Sequence, residues 1–129
     1  MLQSEVRFPV VVTIDVDPGA DEVYVVWRAP KACEVKSAYV AVANDVAAST
    51  ANYFTAQLLN GGAAGTATTA ISDAVGGTAG WTGLTPKTLT MTSTGKNLSA
   101  GDVVVLKYDE TGTGTFGALQ AQLDVVYGT

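Results

Sequence analysis

The sequence contains no histidine and a single cysteine, Cys33. Without histidine, neither a Ser-His-Asp or Cys-His relay nor the common His/Cys zinc sites can be built. One cysteine excludes an intrachain disulfide. Its neighbours, Lys31-Ala32-Cys33-Glu34-Val35, supply no base or cation cluster, so it reads as a small buried thiol. Cations are also scarce: seven Lys and Arg stand against 12 Asp and Glu, for a net charge of −5. They are scattered, which excludes the clustered positive groove that nucleic acid requires. Long apolar runs are missing as well. The early run over residues 8–14 is too short to cross a bilayer, contains Pro9 and follows Glu5 and Arg7. Neither a secretory leader nor a membrane partner is expected.

What is present is alternation. With 129 residues, 47% of them hydrophobic and only 15% charged, the chain can bury one core without staples. The last thirty-odd residues show the pattern best. A polar turn (97–102) precedes an apolar strand (103–108), a Gly/Thr loop (111–115) and a strand over 118–127. In that last strand Leu119, Ala121, Leu123, Val125 and Tyr127 share one face, opposite Gln120, Gln122 and Asp124. The two strands read as a closing hairpin. Earlier, Phe8, Val10, Val12 and Ile14 alternate with Pro9, Val11 and Thr13; Pro9 cannot donate to a ladder and belongs on an edge.

Asp17-Pro18-Gly19-Ala20-Asp21 is a turn, and residues 22–28, 33–43, 52–59 and 86–93 read as further strands. Residues 60–83 are dense in Gly, Ala and Thr, with 67–75 open between strand and short helix; Trp81 and Leu84 are the large residues expected to anchor this excursion. About eight short strands with no helix of three turns predict an all-β, single-domain antiparallel β-sandwich of jelly-roll type. Residues 1–9 form an N-terminal arm and 10–129 the sandwich.

Constellations for chemistry are weak, and no enzyme and no cofactor is expected. Gly112-Thr113-Gly114-Thr115-Phe116-Gly117 matches G-x-G-x-x-G but opens a strand, where a dinucleotide fingerprint must open a helix. Asp15, Asp17, Asp21 and Glu22 gather acidic oxygens of the kind calcium takes, without EF-hand spacing; a solvated turn is the simpler reading. Asp109 and Glu110 point apart on a strand. Trp27, Trp81, Tyr24, Tyr39 and Tyr53 would suit a sugar-stacking face if they formed a row.

Three stretches resemble the small jelly-roll proteins of tailed-phage virions, particularly head decoration (cement) proteins. They are Val25-Val26-Trp27-Arg28-Ala29-Pro30-Lys31-Ala32-Cys33, Ala51-Asn52-Tyr53-Phe54-Thr55-Ala56-Gln57-Leu58-Leu59-Asn60-Gly61 and Leu98-Ser99-Ala100-Gly101-Asp102-Val103. The resemblance implies a structural protein on the outer capsid surface, associating with itself as a homotrimer and bridging major capsid proteins. The residue reading is compatible with this: an extended arm bearing Pro9 fits strand addition to a neighbour, so the interface is expected at Glu5, Val6, Arg7, Phe8 and Pro9, and at Trp81. The alternative is a carbohydrate- or receptor-binding sandwich of a phage fibre, spike or baseplate.

Overall fold

The computed structural model describes residues 6–66, 68–113 and 115–128. Strand segments follow one another as β1 (Phe8–Ile14), β2 (Glu22–Arg28), β3 (Cys33–Val42), β4 (Tyr53–Asn60), β5 (Thr69–Ala70), β6 (Val75–Gly76), β7 (Lys87–Leu89), β8 (Asn97–Leu98), β9 (Val103–Thr111) and β10 (Leu119–Tyr127); Gly77–Ala79 makes one 3-10 turn. Two antiparallel sheets result, ordered β1-β10-β3-β7 and β2-β9-β4-β5. The short segment β8 joins β7 along one edge of β3, and β6 joins β5 along β4. With those pairs sharing an edge, the segments fill four positions in each sheet. β1 to β4 alternate between the sheets, β5 and β6 stay beside β4 in the second, and β7/β8, β9 and β10 alternate again, which is the connectivity of a jelly roll.

That connectivity corrects the closing hairpin. β9 pairs with β2 and β4, whereas β10 pairs with β1 and β3, so the loop between them passes from one sheet to the other. Two packed sheets lie about 10 Å apart, a gap that a tight turn cannot bridge. Phe116 makes the passage favourable: it is fully buried between the sheets, edge-on to Phe54 and Tyr108. Its N–H donates to Asp17 Oδ2 at 3.2 Å, which ties the crossing to the β1–β2 turn. Gly114, within the G-x-G-x-x-G stretch, lies outside the described residues.

The pleat decides which side chains enter the core. In β10, Leu119, Ala121, Leu123 and Val125 are buried, and in β9 Val104, Leu106 and Tyr108 are. Two bulges shift the phase elsewhere. In β3 the inward residues change from Cys33 and Val35 to Ala38, Val40 and Val42, because Ser37 faces Asp124 while Val35 faces Val125, leaving Lys36 as the extra residue. In β2 Val25 faces Val105 but Trp27 faces Val104, so Val26 and Trp27 both pack on the core.

Among its described residues, the excursion after β4 forms the two short strands β5 and β6, which hang on β4, and the 3-10 turn at Gly77–Ala79. Ser72 is the one buried polar residue among those described. Its hydroxyl accepts the Leu58 N–H (3.2 Å) and donates to the Asp73 carbonyl (2.9 Å), standing in for a ladder partner between β5 and β6.

The arm also needs a correction. Phe8 and Pro9 are not outside the sandwich; they begin β1, opposite Val125 and Asp124. Phe8 is held there by its ring contacts, 4.6 Å from Tyr127 and 5.8 Å from Trp27 between centroids. Pro9 does lie on an edge strand, since β1 has β10 on one side only.

Leu123 is fully buried at the centre of β10. Leu123→Asp is expected to abolish folding, because an unpaired carboxylate there costs several kcal/mol. Circular dichroism and thermal melting check this; a soluble variant with an unchanged melting temperature would mean that the other face of β10 is the core.

Candidate functional site

The residues singled out by sequence come to very different places. Glu5 lies outside the described residues. Val6 and Arg7 are exposed at the start of the chain's described part, ahead of β1. Phe8 packs inward and Pro9 outward on the edge strand. Trp81 is 4% exposed and is a core residue, not a surface contact. Its indole stacks on Phe54 (5.1 Å, 12°), with Lys87 Nζ 5.3 Å above the ring. A methyl group at Gly76 (φ 97°) would run into this indole, so only glycine lets the ring settle there. Trp81 Nε1 is the one buried side-chain nitrogen or oxygen among the described residues with no hydrogen-bond partner.

The remaining aromatics do not form a row. Tyr24 and Trp27 pack against the core from β2. Tyr39 lies on the outer face of the first sheet, and Tyr53, next to buried Phe54, on the outer face of the second. The stacking platform that a sugar-binding reading requires is therefore divided between three surfaces.

The acidic turn is engaged in holding loops. Asp17 Oδ1 accepts the Gly19 N–H (2.8 Å) and its Oδ2 that of Phe116, while Asp21 Oδ1 accepts the Glu110 N–H (2.7 Å). No group of three or more metal-ligating side chains converges among the described residues. This acidic end acts on the neighbouring phenols. Burial pushes the Tyr108 hydroxyl far up, helped by its 2.7 Å bond to Glu110 and the Asp17 carboxylate. Burial, Glu22 and Asp17 raise Tyr24 in the same sense. At the opposite end burial, with Asp102 adding to it, raises the Cys33 thiol, which leaves it a poor nucleophile.

Asp102 is also the point where three separate stretches meet. Its Oδ2 accepts the Ser99 N–H (2.8 Å) and Asn60 Nδ2 (3.0 Å), and its carbonyl accepts the Ala29 N–H (2.8 Å). The Ala29 carbonyl in turn accepts the Gly101 N–H (2.7 Å), and the Val103 carbonyl accepts that of Gly61 (2.7 Å). Ala29, the Asn60–Gly61 end of residues 51–61 and residues 99–103 are thus joined by hydrogen bonds at one end of the sandwich, whereas Asn52, just before β4, bonds Thr113 at the other end.

Two outer sheet faces remain. On the second sheet, Val25 is 71% exposed in line with Val105 and Leu59, beside the Lys107–Asp109 ion pair at 3.3 Å. On the first, Thr13, Gln120 and Ala41 form one cross-strand row and Val11, Gln122 and Tyr39 the next. A groove of about 240 Å³ over Gln122 and Tyr39 continues into one of about 420 Å³ over Gln120 and Ala41; Pro86 walls both.

The rim of the larger groove carries Leu84, which corrects its expected role as an inward anchor. It is 81% exposed and its backbone is left-handed, φ 64°. For a leucine that conformation costs roughly 1–2 kcal/mol. It is imposed by the Leu84 N–H donating to the Val42 carbonyl (2.7 Å) and the Gly83 N–H donating to Asp45 Oδ1 (2.7 Å).

Compared with protein-family models and with curated proteins, the chain finds no match.

Two outcomes follow from this geometry. Trp81→Ala is expected to cost about 3–5 kcal/mol in denaturant unfolding. Trp81→Phe should cost less than half as much, since stacking on Phe54 is kept and no hydrogen bond is lost; equal losses would mean that Nε1 has a partner. Tyr108 adds an alkaline weakness. Its raised pKa stabilises the fold fully below the ordinary phenol value of about 10, and this contribution disappears as pH rises, because the unfolded chain ionises first. Tyrosinate absorbance should therefore appear together with unfolding. A Tyr108 that titrates in the intact fold near the ordinary value would refute this.

Proposed function

We propose that the protein is a structural virion component, a capsid decoration (cement) protein whose copies associate and bridge major capsid proteins on the outer surface of the head. The observation that carries this reading is the junction at Asp102. The three stretches that resemble phage decoration proteins are far apart in sequence, yet each sends a part to this junction: Ala29, Asn60–Gly61 and residues 99–103. A likeness whose parts touch in the fold supports the reading better than one whose parts never meet.

The jelly-roll order is compatible with that role but does not select it, since the same fold serves viral capsid and lectin domains. The choice between them rests on side chains. A sugar-binding use calls for aromatic faces turned to solvent together, and here Trp81 is core while Tyr39 and Tyr53 lie on opposite outer faces. A cementing role calls only for a rigid body with surfaces that bind its neighbours weakly many times. A standard interface buries about 1,600 Å² in total, and repetition over a shell sums modest affinities through multivalency.

The test is reattachment. Purified protein should bind virus heads assembled without it, saturate at a fixed ratio to the major capsid protein and raise the temperature at which heads rupture. Removing residues 1–6, which precede β1, should weaken attachment at least tenfold while the melting temperature of the free chain is unchanged. Failure of the intact chain to bind such heads at any concentration would refute the reading.

A further inference from the structure

We infer that the outer face of the β1-β10-β3-β7 sheet is a self-association surface, on which Leu84 of one copy enters the groove beside Leu84 of a second copy. This rests on the assembly reading and gives self-association a place, with a two-fold pair where the resemblance implied a homotrimer. Three observations converge on it. Leu84 is a large aliphatic side chain held 81% exposed by a strained backbone, fixed by hydrogen bonds from its own and the preceding residue's N–H. A flexible loop would relax that conformation; here it is kept, and it projects the side chain outward.

The second observation is the groove itself. Its lining is of small or uncharged side chains, among them Thr13, Ala41, Ala118 and Gln120, and its volume is about 420 Å³. Roughly 150 Å³ accommodates a benzene-sized guest, so an aliphatic side chain with its backbone fits. Knob and groove lie side by side on one face. A two-fold axis through that face places each copy's Leu84 over the other's groove, which is the self-complementary geometry of a two-fold dimer.

The third observation is charge, and it selects the occupant. The chain carries a net charge of −5, so two copies repel unless they meet where charge is absent. None of the residues lining either groove on this face is charged. The carboxylates nearby are engaged within the chain: Asp124, one row further on, accepts hydrogen bonds from Ser37 Oγ (3.0 Å) and Gln122 Nε2 (3.1 Å), and Asp45 accepts the Gly83 N–H beside Leu84 (2.7 Å). The opposite outer face carries the Lys107–Asp109 ion pair; on this face the paired charges, Glu34 with Lys36 and Lys96, sit at the other end of β3 from the grooves. With four strands about 4.8 Å apart and a usable length of about 20 Å, the face offers a footprint of roughly 400 Å². That is about half of what a standard interface buries per partner, so pairing is expected to be reversible and concentration-dependent.

Sedimentation equilibrium of the full chain over a wide concentration range tests this. The expected result is a monomer–dimer equilibrium that does not weaken as salt is raised. Leu84→Asp should weaken it at least tenfold without lowering the melting temperature. Leu84→Gly separates the two roles of the residue: it should weaken association similarly while raising the monomer's melting temperature, because glycine accepts the left-handed backbone. Val25→Lys, on the opposite face, should leave association unchanged. A chain that stays monomeric up to about 1 mM, association untouched by both Leu84 variants, or dissociation by Val25→Lys would each overturn the inference. Reattachment of the Leu84→Asp variant to virus heads keeps the two proposals apart: a monomer that still binds heads overturns this surface alone.

Discussion

The fold depends on one aromatic contact set centred on Phe54. That ring lies 5.1 Å from Trp81, 5.2 Å from Tyr108 and 5.4 Å from Phe116 between centroids. The four rings come from four different parts of the chain: β4, the irregular excursion, β9 and the crossing loop to β10. A sandwich with alternating connections has many long loops over its ends, and each must be anchored or its closure entropy is not recovered. Trp81 fixes the excursion and Phe116 fixes the crossing. Both use the same partner, so the loss of one ring loosens two loops as well as the core between them.

Much of this architecture was legible in the sequence, because period-two alternation is a local property. β2 coincides with the residues read as a strand, and the inward set of β10 matches its apolar positions. The turn at residues 17–21 follows from Pro18, Gly19 and the Asp17 side chain, whose carboxylate caps the Gly19 N–H. Features that failed to show are those in which distant residues decide. Nothing local tells a hairpin from a sheet-to-sheet crossing; the only clue was a phenylalanine set among glycines and threonines. The bulges at Lys36 and Val26 leave composition unchanged while altering which side each residue takes.

Trp81 and Leu84 illustrate the same limit in opposite directions. Two large apolar residues three positions apart carry the same local signal, and they end at 4% and 81% exposure. The difference lies in backbone that others control. Gly76 clears space for the indole, whereas Val42 and Asp45 hold the following loop in a turn that swings Leu84 out. Sequence reasoning that sorts residues by hydrophobicity alone assigns both to the core. The strand edges give a parallel case: Phe8 and Pro9 are adjacent, yet one belongs to the aromatic end of the sandwich and the other to its open edge.

An acidic chain with few cations has a restricted choice of ways to assemble. Pairing of opposite charges is limited by seven cationic residues, and several of these are already engaged: Lys36 and Lys96 with Glu34, Lys107 with Asp109, Lys31 over Tyr127 and Lys87 over Trp81. In the self-association proposed above, specific recognition between copies comes from shape, amides and aliphatic surface. Shape is only informative when it is rigid, and rigidity is what the left-handed turn at Leu84 supplies. Its backbone cost is carried by the same hydrogen bonds that close the loop onto β3. The electrostatic poverty of the sequence and the strained leucine are therefore two sides of one constraint: where charge cannot direct assembly, a fixed projection beside a neutral groove can.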